Sequence, residues 1–130
     1  MSISYDATSI RIPHLQSIID RAGNGALLRG YDGTRPSTGA PVTTQVLLFE
    51  LTCGTPFGTI NTGAARLDIT NPAAGTASAT GLWSWWRVVK ADGTSFVMDG
   101  DATDFSSPSY VAQIGQSVEL TGNSITEGNP

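Results

Sequence analysis

Residues 80–101 constrain the fold of this chain more than any other stretch, because they hold all three tryptophans and predict a β-hairpin. Residues 82–90 are rich in aromatic and β-branched side chains, which suit a pleated, half-buried strand. Residues 91–94 form a tight turn, since Asp92-Gly93 supplies the positive φ angles that hairpins need. Residues 95–98 then resume as the second strand.

Strand alternation divides the side chains of the first hairpin strand between two faces. We assign one face to the core: Leu82, Ser84, Trp86 and Val88. The other face carries Trp83, Trp85 and Arg87, and it is too apolar to be ordinary solvent-facing surface. We expect it to meet a partner chain or to lie under a neighbouring loop. Tryptophan is enriched among interface anchors, so we predict an interface at these three residues.

The segment before the strands predicts one short amphipathic helix over residues 12–23. Leu15, Ile18, Ile19 and Ala22 recur at helical spacing. Gly23-Asn24-Gly25 then ends the helix in a conformation that these residues tolerate. We expect the helix to pack on the β core or on a neighbouring subunit.

The remainder predicts about seven to eight short strands separated by turns, which is typical of a β-sandwich or a partly closed barrel. The fold class is therefore mainly β with one N-terminal helix. We expect a single domain over residues 1–130. Its parts are an extended arm (1–9), the helix (12–23), the β-sandwich (26–126) and an open tail (127–130).

Charge and apolar patterning narrow the classes of partner. The net charge is −4 and the seven basic residues form no stripe, so we expect no nucleic-acid binding. No apolar run approaches the ~18 residues of a membrane span. The first residues lack the pattern of a signal peptide, so we expect a protein made in a cytoplasm.

Catalytic groups are scarce in the sequence, and we predict a protein that is not an enzyme and needs no cofactor. His14 is the only histidine, and we interpret it as a surface or boundary residue. Cys53 is the only cysteine, so it forms no intrachain disulfide and belongs to no multi-cysteine metal site. It has no basic neighbour in sequence to activate a thiolate, and we interpret it as a small core residue.

The run of residues 99–104 has the one spacing that resembles a metal-binding turn. Oxygen ligands from Asp99, Asp101 and Asp104 around a glycine are a weak candidate for calcium. The run is too short for an EF-hand and lacks its closing glutamate. A solvated turn between two strands is the favoured interpretation.

Three stretches resemble a group of small structural proteins of tailed bacteriophages and prophages. They are the helix running into Gly25-Ala-Leu-Leu-Arg-Gly-Tyr-Asp-Gly-Thr-Arg-Pro36, then Leu47-Leu-Phe-Glu-Leu51, then Ser84-Trp-Trp-Arg-Val-Val-Lys-Ala-Asp-Gly-Thr94. With the late strand ending near Ile125, the similarity covers nearly the whole chain. It implies a virion protein and carries no catalytic motif. The doubled Trp85-Trp86 is where this chain departs from the pattern.

The resemblance, together with the acidic, turn-rich β composition and the terminal arms, leads to the hypothesis of a capsid decoration (cement) protein located in the virion and made in the bacterial host cytoplasm. The expected partners are the major capsid protein or another virion protein, and further copies of the chain in a homo-oligomer. The alternative is a tail or adsorption protein. In that role an exposed tryptophan face would bind host glycans and the turn at 99–104 would hold calcium.

Overall fold

The N-terminal part of the chain is helical, as the apolar spacing predicts. The computed structural model describes residues 6–105, 110–120 and 124–126. Helix α1 spans Ile12–Ala22 and ends at Gly23, whose φ is +67°. Leu15 and Ala22 are buried, whereas Ile18 and Ile19 are only partly buried. The helix packs against strands of both larger sheets, so the predicted docking on the β core is confirmed.

The extended arm predicted over residues 1–9 is wrong for residues 7–9. A π-helical turn at Ala7–Arg11 leads directly into α1. Asp6 caps this turn, because its side chain accepts the Ser9 N–H at 2.8 Å. A capped first turn removes the cost of unpaired backbone N–H groups, which favours helix over an extended arm. Residues 1–5 of the predicted arm lie outside the described residues.

The rest of the described chain is built from short antiparallel strands. Their bounds are β1 (Leu27–Tyr31), β2 (Leu47–Thr52), β3 (Gly58–Asn61), β4 (Arg66–Ile69), β5 (Gly75–Thr76), β6 (Gly81–Leu82), β7 (Trp85–Val89), β8 (Phe96–Asp101), β9 (Val111–Ala112), β10 (Ser117–Val118) and β11 (Ser124–Thr126). A short 3₁₀ turn at Ala102–Asp104 follows β8.

These strands form four separate antiparallel sheets within the described residues. The largest has the order β2-β1-β7-β8, and a three-stranded sheet has the order β11-β4-β3. Two smaller pairs join β10 to β5 and β6 to β9. The predicted fold class, mainly β with one N-terminal helix, is confirmed. The predicted single sandwich or partly closed barrel is not confirmed, because the strands are divided among four sheets and none of these sheets closes on itself.

The predicted tryptophan hairpin is present, as β7 paired with β8. Its turn has Gly93 at φ +80°, and Asp92 accepts the N–H groups of Thr94 and Ser95 at 2.8 Å each. The first strand is not continuous, however. The predicted strand over residues 82–90 is divided into β6 and β7, and the break falls at Trp83 and Ser84.

One face of the four-stranded sheet packs on the core. Phe49 lies over Gly30, and the ring of Trp86 lies over Gly100, leaving no room for a Cβ at either glycine. Other core side chains come from the helix, both larger sheets and the connecting segments: Leu15, Leu28, Leu48, Leu51, Phe57, Leu67, Trp83, Val88 and Phe105. The aromatic strand is therefore a structural centre of the protein.

Candidate functional site

The predicted interface residues Trp83, Trp85 and Arg87 are all buried. Their exposed fractions are 5%, 0% and 7%, and Trp86 is 7% exposed. The exposed tryptophan face that the sequence predicted is therefore absent. The alternative function, glycan binding, required a tryptophan ring exposed to solvent, and all three tryptophans are buried.

Trp83 is on the core side, which corrects its predicted face. The break between β6 and β7 cancels the alternation rule at this point, so Trp83 joins the core together with Trp86. Its ring meets Phe49 edge-on at 5.1 Å and lies 5.7 Å from Phe105 and 5.8 Å from Tyr110. Its indole N–H donates to the carbonyl oxygen of Trp85 at 2.9 Å.

Trp85 and Arg87 do share the second face of the sheet, as predicted. Trp85 stacks on Tyr31 with ring centroids 4.5 Å apart, and the Arg87 guanidinium lies 5.3 Å from the Trp85 ring. Arg87 also lies 5.4 Å from the ring of Phe96. Its Nε and Nη2 bind the two carboxylate oxygens of Asp99 at 2.6 and 3.0 Å. A buried charge is tolerated only with a partner of this kind.

The loop between β1 and β2 lies against this second face. Trp85 donates its indole N–H to the carbonyl oxygen of Asp32 at 2.9 Å. Farther along the loop, the Gly39 N–H donates to Asp99 at 3.1 Å, and Gly39 lies close to the Phe96 ring. The sequence predicted that this face would meet either a partner chain or a neighbouring loop, and in the structure the face lies under the loop between β1 and β2.

The three carboxylates of the weak calcium candidate have separate roles. Asp99 is bound to Arg87, and Asp101 lies 3.7 Å from Arg35. Asp104 caps the backbone N–H of Asp101 at 2.8 Å. No group of three or more potential metal ligands occurs within residues 6–105, 110–120 and 124–126. The structure thus does not bring these side chains together as a calcium site.

His14 and Cys53, the two residues considered as catalytic candidates, lie in different environments. His14 is exposed in the first turn of α1. Cys53 is buried, and burial raises the pKa of its thiol to about 11. Desolvation disfavours the thiolate, which is the reactive form. Its environment is that of the core residue that the sequence predicted.

An exposed apolar surface occurs elsewhere, on a segment that sequence reasoning did not single out. Residues 75–83 run antiparallel to residues 110–118 through β5–β10 and β6–β9, and we call this pair the outer ribbon. Backbone hydrogen bonds continue it between the strand pairs, from Ala77 to Gln116 and from Gly115 to Ala77, both 2.8 Å.

The outer ribbon has an apolar inner side and an uncharged outer side on which three large apolar residues are exposed. Inward, Trp83 and Ala112 belong to the core. Outward, Leu82, Val111 and Ile114 are 61%, 51% and 71% exposed, and Leu82 and Val111 are cross-strand partners. Neither segment of the ribbon contains a charged residue, in a chain of net charge −4. That absence of charge over two stretches is the sequence signal that could have found this surface.

No helix in the described part of the chain is long and apolar enough to cross a membrane.

Comparisons with known proteins add no family and no relative to this description. Protein-family models, curated proteins and solved structures were each compared with the chain, and none matches it. The residues of this chain are therefore the ground for any functional proposal.

Proposed function

We propose that the protein is a bacteriophage virion structural protein of the capsid decoration type, which binds and stabilises the head shell by non-covalent contacts. The observation that carries this proposal is the outer ribbon. It presents Leu82, Val111 and Ile114 to solvent on a surface without charge. Apolar surface of this kind, surrounded by polar residues, is typical of protein-binding sites.

The outer ribbon fits a partner that is itself folded and apolar at the contact. Leu82 and Val111 lie side by side on β6 and β9, and the backbone N–H of Ile114 is held by the Thr80 hydroxyl at 3.0 Å. Both hydrogen bonding and pairing fix the backbone under these side chains. A pre-ordered surface loses little conformational entropy on binding, so a small apolar contact area yields more net affinity.

The partner follows from the resemblance rather than from the ribbon. The stretches that resemble phage structural proteins imply a virion context, and the partner that we propose in that context is the protein of the head shell. Burial of the tryptophans in the domain removes the surface on which glycan binding depended. We therefore favour a protein partner over a glycan.

A binding assay on heads assembled without this protein tests the proposal. Ile114→Asp places a charge on the ribbon and should weaken binding at least tenfold, because desolvating an unpaired carboxylate is costly. Ile10→Asp is the matched control, since Ile10 is also an exposed isoleucine, at 37%, but lies on the N-terminal π-helical turn. Equal binding by the two variants would remove the support that the ribbon gives to the proposal.

A further inference from the structure

A cleft of about 370 Å³ lies between the edge of the four-stranded sheet and the three-stranded sheet. Its aliphatic lining includes Ile69 of β4, Met98 of β8 and Ile125 of β11. Trp86 and Phe105 also line it, with their rings edge-to-face at 5.5 Å. The volume is at the lower end of the roughly 300–1,000 Å³ typical of ligand sites, so it suits a small ligand or one long side chain.

Asp104 provides the anionic group of this cleft. Its Oδ2 accepts the backbone N–H of Asp101 at 2.8 Å and, at 3.2 Å, the indole N–H of Trp86, which also donates to the Asp101 carbonyl oxygen at 3.0 Å. These two bonds fix the carboxylate in place. Asp99 also lines the cleft, but its carboxylate is bound to Arg87. The cleft therefore combines aliphatic walls with one fixed carboxylate, whose second oxygen, Oδ1, takes no part in those two bonds.

We infer that this cleft takes the side chain of a lysine from a partner protein. The four-carbon stem of lysine buries against apolar walls while its ammonium remains near the rim. A compact ammonium needs a single acceptor oxygen, whereas the arginine fork is suited to two, and Oδ2 of Asp104 already accepts two bonds. The net charge of −4 also favours a cation.

The identity of the partner as a head-shell protein rests on the proposed function, but the chemistry of the ligand does not. The outer ribbon and the cleft share none of their lining side chains. The ribbon would supply apolar contact area, and the cleft would select a partner that presents a lysine. The two surfaces can be tested separately.

Titrations followed by NMR of the indole N–H groups test the inference. The probes are n-pentylammonium, 1-pentanol and hexanoate, which have similar apolar stems and differ in charge. The Trp86 resonance should shift with all probes that enter, because Trp86 lines the cleft and its N–H is shared between Asp104 and the Asp101 carbonyl oxygen. The Trp85 resonance is an internal control, since its N–H is bound to Asp32 on the other face of the sheet.

The ammonium probe should bind about two- to five-fold more tightly than the alcohol, the range expected of one exposed ion pair. Hexanoate should bind more weakly than the alcohol. Asp104→Asn retains an oxygen that can cap Asp101 and should abolish the preference for the cation. Asp20→Asn removes the same charge from an exposed site on α1 and should leave the preference intact.

Ile125→Phe narrows the cleft from the wall opposite Asp104, so it should weaken the binding of all three probes to the same degree. This variant provides a second test of the cleft if Asp104→Asn does not fold. Equal affinity for the three probes, or no shift of the Trp86 resonance, would overturn the inference.

A second pair of ligands tests lysine itself. Nα-acetyl-lysine amide should bind more tightly than Nα-acetyl-norleucine amide, and binding of free pentylammonium without this difference would refute a protein side chain as the ligand. Lysine binding by a protein that is absent from the head shell would leave the inference standing and reject the proposed function. If this protein is located on the head shell but shows no preference for lysine, the proposed function stands and the inference about the cleft is rejected.

Discussion

Replacement of Trp85 by alanine should unfold the protein more readily rather than merely weaken its associations. Trp85 is fully buried, and its ring stacks on Tyr31 at 4.5 Å. A buried tryptophan removes ~150–250 Å² from water, which is worth roughly 4–6 kcal/mol at ~25 cal/mol per Å². Measured Trp→Ala changes in protein cores cost ~3–5 kcal/mol, so we expect a loss of about 4 kcal/mol.

The neighbours of Trp85 should keep that loss large. The Arg87 guanidinium lies 5.3 Å from the ring and is paired with Asp99. The cavity left by Trp85→Ala would therefore border this buried ion pair. The two charged side chains cannot move into apolar space to fill the cavity. Loss of the indole N–H also leaves the partly buried carbonyl oxygen of Asp32 without its donor. An unpaired buried acceptor costs about 1–3 kcal/mol, which places the expected loss toward the upper end of the range.

Thermal and urea unfolding of the monomer measure this effect. For a domain of this size, each kcal/mol shifts Tm by very roughly 3–5 °C, so Trp85→Ala should lower Tm by roughly 10–20 °C. Leu82→Ala is the control, because Leu82 is 61% exposed and should change stability by no more than about 0.5 kcal/mol. Unchanged stability of Trp85→Ala together with lost particle binding would show that the tryptophan face is an interface after all.

Three further predictions concern groups whose burial differs. Asp99→Ala should cost ~3–5 kcal/mol in urea unfolding, since it leaves Arg87 charged and unpaired under the loop; a loss below 1 kcal/mol would contradict a buried pair. Leu15→Ala should cost ~2–5 kcal/mol and Ile18→Ala clearly less, because only Leu15 is fully buried; reversed costs in thermal melts would contradict the helix orientation. Cys53 should react with a thiol reagent at pH 8 only after denaturation, since burial holds its pKa near 11; rapid reaction of the folded protein would contradict this.

Local signals in the sequence were sufficient for local structure. The apolar spacing of residues 12–22 defined α1, and Gly23 ends it with a positive φ as expected. Asp92-Gly93 formed the hairpin turn for the same reason. Each of these features depends on residues that are close in sequence, where backbone conformation and short-range hydrogen bonds decide the outcome.

The face assignment failed for Trp83 alone, because it depended on an uninterrupted strand. The break at Trp83 and Ser84 placed Trp83 on the core side with Trp86, which lies on its predicted face. Strand alternation carries no information across such a break, because a shift of one residue exchanges the two faces. The partner of Arg87 depends on a similar irregularity, a bulge between Val88 and Val89 in the hairpin. An uninterrupted register from the pairing of Val89 with Phe96 would place Met98 opposite Arg87, whereas the bulge places Asp99 there.

The arrangement of sheets and the exposed surface depend on contacts between residues that are remote in sequence. β1 pairs with β7 as well as with β2, and the outer ribbon joins residues 75–83 to residues 110–118. Composition and period predicted seven to eight strands where the structure describes eleven, and they do not give the partners of the strands. The absence of charge marks the two stretches in the sequence, but only the pairing of β6 with β9 shows that they form one surface.

Cryo-electron microscopy of the intact virion tests the proposed function most directly. We predict density for this chain on the head shell, with Leu82, Val111 and Ile114 of the outer ribbon covered by a neighbouring chain. Trp85 and Arg87 should remain inside the domain, beneath the loop between β1 and β2. Density in the neck or tail, or density on the head with the outer ribbon facing solvent, would contradict the account.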